Sequence, residues 1–460
     1  MEFKKIGTSL TNMRESDVII IGGGPGGAKA ARTLARGGKK VALVSSDLGG
    51  ECLNWGCIPT KTYVWTAELF EKISGAAAAG IELGTIPKIN WAQMKQRRSE
   101  VVSKLKKQLR FSVEKAGVTI IDGIGVLKDA HTVEVKTADG TTATLTAPHI
   151  ILATGSQATL PPGITPDKKF ITNHEILDLP EIPKTLLVMG GGAVGVEFAS
   201  IFATLGTKVT IAEHAERLIP HEDPEVSAEL ERVFSRKGIT ILKNTLITAA
   251  DTTAFEKVLV AVGRTPTTAG LGIESAGLTA TKRGIETNEH MQTTVPNIFA
   301  IGDLAGKALL AYTAEQEGEI AARAILGLPH EPLRYDAVPN TIFSLPEIAS
   351  VGLTEATLTA RQISFITGKS SMSANAKALI LGSRDGFAKI LAEKNSHRIL
   401  GIHIIGEKAS ELIAEAVHAI THEMTLEQFA QSLHGHPLLG EILKEACEAS
   451  TVNQIGGMEG

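Results

Sequence analysis

Aromatic residues are scarce in this chain, with 3 Trp, 3 Tyr and 13 Phe among 460 residues, so its interior must be built mainly from aliphatic side chains. Cysteine is scarcer still, at 3. That count excludes a disulfide-stapled secreted scaffold, which carries many more. No apolar run reaches the roughly 18 residues that a membrane-crossing helix needs. A net charge of −4 gives no basic surface for nucleic acid. Residues 1–16 mix Lys4, Lys5 and Arg14 with polar groups and lack an apolar centre, so they read as an N-terminal extension and not a signal peptide. These absences leave a cytoplasmic protein with no nucleic-acid or membrane partner. Its length exceeds what one hydrophobic core usually serves, which implies several domains.

Glycine, by contrast, is plentiful, with 46 residues and no collagen-like period. Its placement is informative. Val18, Ile19, Ile20 and Ile21 form a β-branched run suited to a strand buried on both faces. Gly22, Gly24 and Gly27 follow in G-x-G-x-x-G spacing, residues 28–36 read as a helix, and residues 40–44 return as a strand. The pattern recurs with a strand over residues 185–189, then Gly190, Gly192 and Gly195, a helix over 196–205 and a strand over 208–212. One such motif is weak evidence, because glycine turns occur in unrelated loops. Two copies, each set between strand and helix, predict two dinucleotide-binding βαβ units. In each, the first glycine makes the turn, the second lets the backbone approach a pyrophosphate, and the third admits the helix. Glu213 ends the second unit, where a carboxylate binds ribose hydroxyls and repels a 2′-phosphate, favouring NAD over NADP.

Residues 331–460 have another character. Strand patterns around Val351 and over residues 363–367, 387–392 and 399–405, with amphipathic helices over 409–422 and 438–449, predict an α+β domain after two α/β domains.

Residues 49–61 read GGECLNWGCIPTK, placing Cys52 and Cys57 just after the first βαβ unit. A zinc site would need two more soft ligands at matching spacing, and the histidines are scattered. A structural disulfide is disfavoured in a reducing compartment. Redox exchange is the better reading, with Cys447 a spare thiol of the core.

From about Asp17 to about Ala449 the chain resembles the class I pyridine nucleotide-disulfide oxidoreductases, and within them the dihydrolipoamide dehydrogenases. The cysteine segment carries that resemblance, with Thr154-Gly155, Val262-Gly263-Arg264 and Gly302-Asp303 at the family's cofactor segments. So does His434-Gly435-His436-Pro437 followed by Glu441. The resemblance implies two Rossmann-like domains, for FAD and NAD, plus a C-terminal dimerisation domain, in the glutathione-reductase-like arrangement. The FAD domain then takes residues 17–160 and 286–330, the NAD domain 161–285, and the interface domain 331–460. It implies that Cys52 exchanges with substrate, that Cys57 passes electrons to FAD, and that Lys61 pairs with Glu197 beside the flavin. His436 becomes the base, oriented by Glu441, acting on the second subunit of a homodimer. The implied substrate is a dihydrolipoyl group on a carrier protein. Alternatives are NAD(P)H-driven reduction of another disulfide or a metal ion, a specialised carrier such as one in sulfur oxidation, and a binding subunit that keeps the fold alone.

Three departures from that family stand out. Ser45, Ser46 and Asp47 follow Val44, where the family has a glutamate for the flavin ribose, so Asp47 or a serine substitutes there, or the contact is weaker. Only thirteen residues separate Asn244 from Val258, too few for a β-meander, so the NAD domain is shortened. Tyr312 and Leu345 stand where histidines are common in the family.

Overall fold

The computed structural model describes residues 15–455, with side chains to residue 450. Most of the expected extension, residues 1–14, lies outside the described residues. Its last two residues are not surface tail. Glu15 bridges Thr146, and the Ser16 amide donates to the Thr146 carbonyl at 3.1 Å, so both belong to a sheet edge.

The chain divides into two compact units. The first comprises residues 15–62, 95–159 and 264–333. Its seven-stranded sheet runs, in spatial order, Ile298–Ala300, His149–Leu152, Val18–Ile21, Val41–Ser45, Thr119–Leu127, Thr132–Thr137 and Thr142–Thr146. The first five strands are mutually parallel and the last two continue as an antiparallel meander. Val18, Ile19 and Ile20 are fully buried, as a continuous β-branched run with helices on its sheet requires.

The second unit comprises residues 63–94, 160–263 and the described part of 334–460, and holds two sheets. One is parallel, in the order Thr240–Leu242, Lys208–Ala212, Thr185–Met189, Lys257–Val260 and Phe170–Ile171. Between Leu242 and Lys257 there is only the 3₁₀ turn Ala249–Thr252, so the expected shortening is visible. Ile247 and Phe255, from that short connection, pack against Leu187, Met189 and Val258. The other sheet is antiparallel, in the order Asn340–Ile342, Glu347–Gly352, Ile399–Gly406, Phe387–Glu393 and Phe365–Ser371, and is covered by the helices Ala409–Thr421 and Glu441–Ile455.

Two domain boundaries differ from expectation. The chain rejoins the first unit at Arg264 and not at residue 286, because Leu271, Ile273, Leu278 and Ile285 enter the core around Ile19 and Val44. Residues 63–94 leave the first unit. The Tyr63 hydroxyl donates to the Leu177 carbonyl at 2.7 Å, and Trp91 Nε1 to the Leu179 carbonyl at 2.8 Å, which buries both rings in the second unit.

Candidate functional site

Both glycine turns are sterically closed to other residues at the same two places. In the first unit, a methyl group on Gly22 would sit 2.1 Å from the Ala153 carbonyl oxygen, and one on Gly27 2.0 Å from the Gly22 oxygen. In the second, Gly190 would meet the Ala261 oxygen at 2.3 Å and Gly195 the Gly190 oxygen at 2.0 Å. Gly22 and Gly190 also hold φ of +111° and +105°, which L side chains rarely adopt. The middle glycines are open: Gly24 has its nearest atom at 3.9 Å, and Gly192 has none within 4 Å. Each caps a twelve-residue helix, Pro25–Arg36 or Ala193–Thr204, with neither a side-chain cap nor an acid in the first turn. First-turn amides without an internal acceptor, at a positive helix end, suit a pyrophosphate. The residues therefore fit one dinucleotide in each unit.

At the end of the second unit's strand, the Glu213 carboxylate accepts from the Gly191 and Ala215 amides, both at 2.6 Å. The nearby Arg217 is turned to the Pro220 carbonyl at 2.8 Å and to Glu216 at 3.5 Å.

In the first unit, the expected flavin segments converge. Thr154 Oγ1 donates to the Thr267 carbonyl at 2.8 Å, and the Gly155 carbonyl accepts from the Thr267 amide at 2.9 Å. Asp303 accepts from the Ser156 hydroxyl. Burial holds the Asp303 carboxyl above its usual range, while Ser156 and Arg264 oppose that shift. Arg264 donates to Ser156 Oγ and to the Ser156 carbonyl, each at 2.7 Å, and forms an ion pair with Glu51 at 3.1 Å. The Gly302 amide donates to the fully buried Glu317 at 2.6 Å. Glu51, Ser156 and Glu317 were not among the expected site residues. Glu51 adjoins Cys52 and Ser156 follows Gly155, which is a usable signal. Glu317 is an acid on the buried face of the helix Ala311–Ile325, visible only once that face is known.

Cys52 lies in the short helix Gly50–Asn54, and Cys57 opens the helix Cys57–Ser74. Both are free thiols, half-buried and hydrogen-bonded to one another. That hydrogen bond, with burial, pushes the Cys52 thiol strongly up, and the Lys61 ammonium pulls it back only in part. Cys57 sits at a helix N-terminus, where a thiolate is favoured. Lys61 belongs to the first unit and Glu197 to the second, where the buried Glu197 accepts from the Phe343 amide at 2.9 Å. Gly263 is the last residue of that second-unit segment.

His436 Nδ1 lies 3.0 Å from Glu441 Oε1, and the other Glu441 oxygen accepts from the Leu438 amide at 2.8 Å. The Leu438 amide and then His436 hold the Glu441 carboxyl below its usual range. With Nδ1 on the carboxylate, Nε2 is left to take a proton. The His436 side chain is 72% exposed, between Leu433 (95%) and Leu438 (50%).

One acidic trio among the described residues has a metal-like spacing: Asp223, Glu225 and Glu355. Its cation is Lys389, whose ammonium lies 3.0, 2.7 and 2.9 Å from the three. No described helix is long and apolar enough to cross a membrane. Tyr312 is partly exposed and Leu345 is core.

Comparison with known proteins bears on the whole chain. Residues 16–318 match the family model for pyridine nucleotide-disulphide oxidoreductases, and residues 338–447 match that family's dimerisation domain. A dihydrolipoyl dehydrogenase of Chlorobaculum parvum is 39% identical, with 96% of this chain and 98% of the relative aligned. Dihydrolipoyl dehydrogenase 3 of Pseudomonas putida is 36% identical over 94% and 98%. Among solved structures, LpdA of Mycobacterium tuberculosis superposes with a TM-score of 0.87 at 27% identity, covering 95% of this chain and 99% of that one. The HOCl-induced flavoprotein disulfide reductase RclA of Escherichia coli gives 0.83 at 27%, covering 94% and 99%. The chain belongs to the pyridine nucleotide-disulphide oxidoreductase family and is an FAD- and NAD-dependent enzyme with a dimerisation domain.

Proposed function

We propose that this enzyme oxidises dihydrolipoyl groups on a carrier protein with NAD, through Cys52, Cys57, His436 and Glu441. The observation that carries this reading is the His436–Glu441 pair, held at 3.0 Å with its free nitrogen on an exposed surface, in a chain whose Cys52 and Cys57 are hydrogen-bonded to one another. Thiol–disulfide exchange needs a thiolate, and a protonated substrate thiol requires a base. Supporting it are the full-length relatives named dihydrolipoyl dehydrogenase.

In the oxidised enzyme, Cys52 and Cys57 form a disulfide. A substrate thiolate attacks Cys52 Sγ, and Cys57 leaves as thiolate at its helix N-terminus. His436 takes the proton of the second substrate thiol, which attacks the substrate sulfur bonded to Cys52. The cyclic substrate disulfide departs, and the two electrons remain on the cysteines. Glu441 fixes the imidazole tautomer and stabilises the imidazolium. FAD, when bound, supplies a two-electron acceptor that returns a hydride to NAD. Thr154, Gly155, Gly302, Asp303 and Arg264 would hold the flavin, with Gly22, Gly24 and Gly27 at its pyrophosphate and Lys61 beside it. Gly190, Gly192, Gly195, Glu213 and Gly263 would hold NAD, and buried Glu197 would brace that domain.

His436 sits with Leu433 and Leu438 on an exposed apolar surface, in the region matching the family's dimerisation domain. We assign that surface to a second copy of the chain, so that each base serves the cysteines of the other subunit. Three cysteines, two of them redox partners, fit a cytoplasmic setting.

The test is anaerobic mixing of the yellow protein with dihydrolipoamide and NAD, following NADH, with NADP and Cys52→Ser alongside. Rapid NADH formation with NAD, absent in the variant, is the expected result. Failure of dihydrolipoamide to reduce the flavin, with NADH consumed by oxidised glutathione or a metal ion instead, would overturn the assignment.

A further inference from the structure

The first βαβ unit has no carboxylate where the second has Glu213. The Gly22 amide donates to the Val44 carbonyl at 2.8 Å, and the Gly190 amide to the Ala212 carbonyl at 2.9 Å. The next residues, Ser45 and Glu213, are therefore equivalent, each 23 positions past the first glycine (45 − 22 and 213 − 190). Their side chains face the same point of the turn. A methyl group on Gly23 would lie 2.7 Å from Ser45 Oγ, and one on Gly191 3.2 Å from Glu213 Oε2. Ser45 is only 6% exposed, and no described residue hydrogen-bonds to its hydroxyl. The residue is largely covered, but its oxygen is not among the sealed polar atoms that lack a partner, so the hydroxyl stays reachable from the turn and can take a ligand's hydrogen bond. Asp47 lies two residues beyond this register, half-exposed, with Lys106 at 3.6 Å.

We propose that Ser45, and not Asp47, receives the adenosine ribose of FAD, and that its neutral hydroxyl makes the flavin an exchangeable cofactor of this enzyme. A carboxylate offers two acceptor oxygens and charge-assisted hydrogen bonds, roughly twice as strong as neutral ones. A hydroxyl offers one neutral contact, so retention of FAD falls to the pyrophosphate turn and the isoalloxazine end. The proposal rests on the first unit holding the flavin and not on which dithiol is oxidised. A protein that binds FAD but ignores dihydrolipoamide leaves it standing.

The experiment dilutes holoenzyme into flavin-free buffer, reads released FAD by its fluorescence, then titrates FAD or FMN back. Unchanged protein, Ser45→Ala, Ser45→Glu and Asp47→Ala are compared. Ser45→Glu, free to bond the Gly23 amide as Glu213 bonds that of Gly191, should tighten FAD about tenfold, and Ser45→Ala should weaken it about threefold. Asp47→Ala should stay within about twofold, and FMN, which lacks the adenosine, should bind all four alike. Asp47→Ala weakening FAD as much as Ser45→Ala would overturn the proposal. So would a Ser45→Glu protein, folded by its melting curve, that holds FAD no tighter, or FMN affinities that follow those for FAD.

Discussion

The two βαβ units of this chain are built on one plan and finished differently. Each closes its turn with a glycine whose methyl would strike the oxygen of the motif's first glycine at 2.0 Å, and each leaves a helix N-terminus without a side-chain cap. The first then adds the meander Thr132–Thr137 and Thr142–Thr146, and ends its second strand in Ser45. The second replaces the meander with one 3₁₀ turn and ends in Glu213. The turn that suits a pyrophosphate is thus written into backbone sterics and is common to both. The strand-end side chain, to which we assign the ribose, is one residue and is free to diverge.

The comparison breaks most severely at the closing glycines. Gly27→Ala should give protein that cannot retain flavin, and Gly195→Ala protein that stays yellow but no longer binds NADH, as read by absorbance and by NADH fluorescence titration. A methyl at 2.0 Å from a backbone oxygen cannot be absorbed by a side-chain shift, so a Gly27→Ala enzyme that keeps its flavin would show the turn to be looser than described.

Next in size is Glu213. Its replacement by alanine should weaken NADH by about 10- to 100-fold, the range expected from hydrogen bonds to a charged group of about 1.5–3 kcal/mol, with little change in FAD retention. The affinity ratio of NADH to NADPH should fall with it. An unchanged ratio would place the nucleotide ribose elsewhere.

A smaller effect is expected at Glu317, which holds the Gly302 amide at 2.6 Å. Glu317→Ala leaves that donor without its acceptor at a cost of about 1–3 kcal/mol, read as a lower unfolding midpoint and weaker FAD binding, with NADH binding intact.

The least effect is the acid limb at Glu441. Its folded pKa is depressed, so its contribution is present above the unfolded carboxylate value and is lost as pH falls through the lowered one. Melting temperature should decline in that acid window, and Glu441→Gln should flatten the decline. At neutral pH the same variant should lose turnover and keep FAD. Cys447 supplies a reference throughout: burial pushes its thiol up to about 12, so alkylation of reduced native enzyme near neutral pH should label Cys57, at its helix N-terminus, and spare Cys447.

The βαβ units were legible because G-x-G-x-x-G spacing follows from local sterics and needs no distant residue. The His436–Glu441 pair was legible because five residues of local chain bring the two together. Two boundaries were not. Tyr63 and Trp91 belong to the second unit because their polar tips find the Leu177 and Leu179 carbonyls, more than 80 residues away in sequence. Glu317 was missed for the same reason, since it serves the Gly302 amide 15 positions away.

By itself the sequence pointed to the class of chemistry, because a cysteine pair, two glycine turns and a His–Glu pair are local patterns that carry the resemblance to the family. Only the tertiary structure decided which side chain ends each strand facing the turn. Strand register, set by the Gly22–Val44 and Gly190–Ala212 hydrogen bonds, gives Ser45 the place in the first unit that Glu213 has in the second, and leaves Asp47 two residues past the end of the strand Val41–Ser45. Composition does not reveal where a strand ends against its turn.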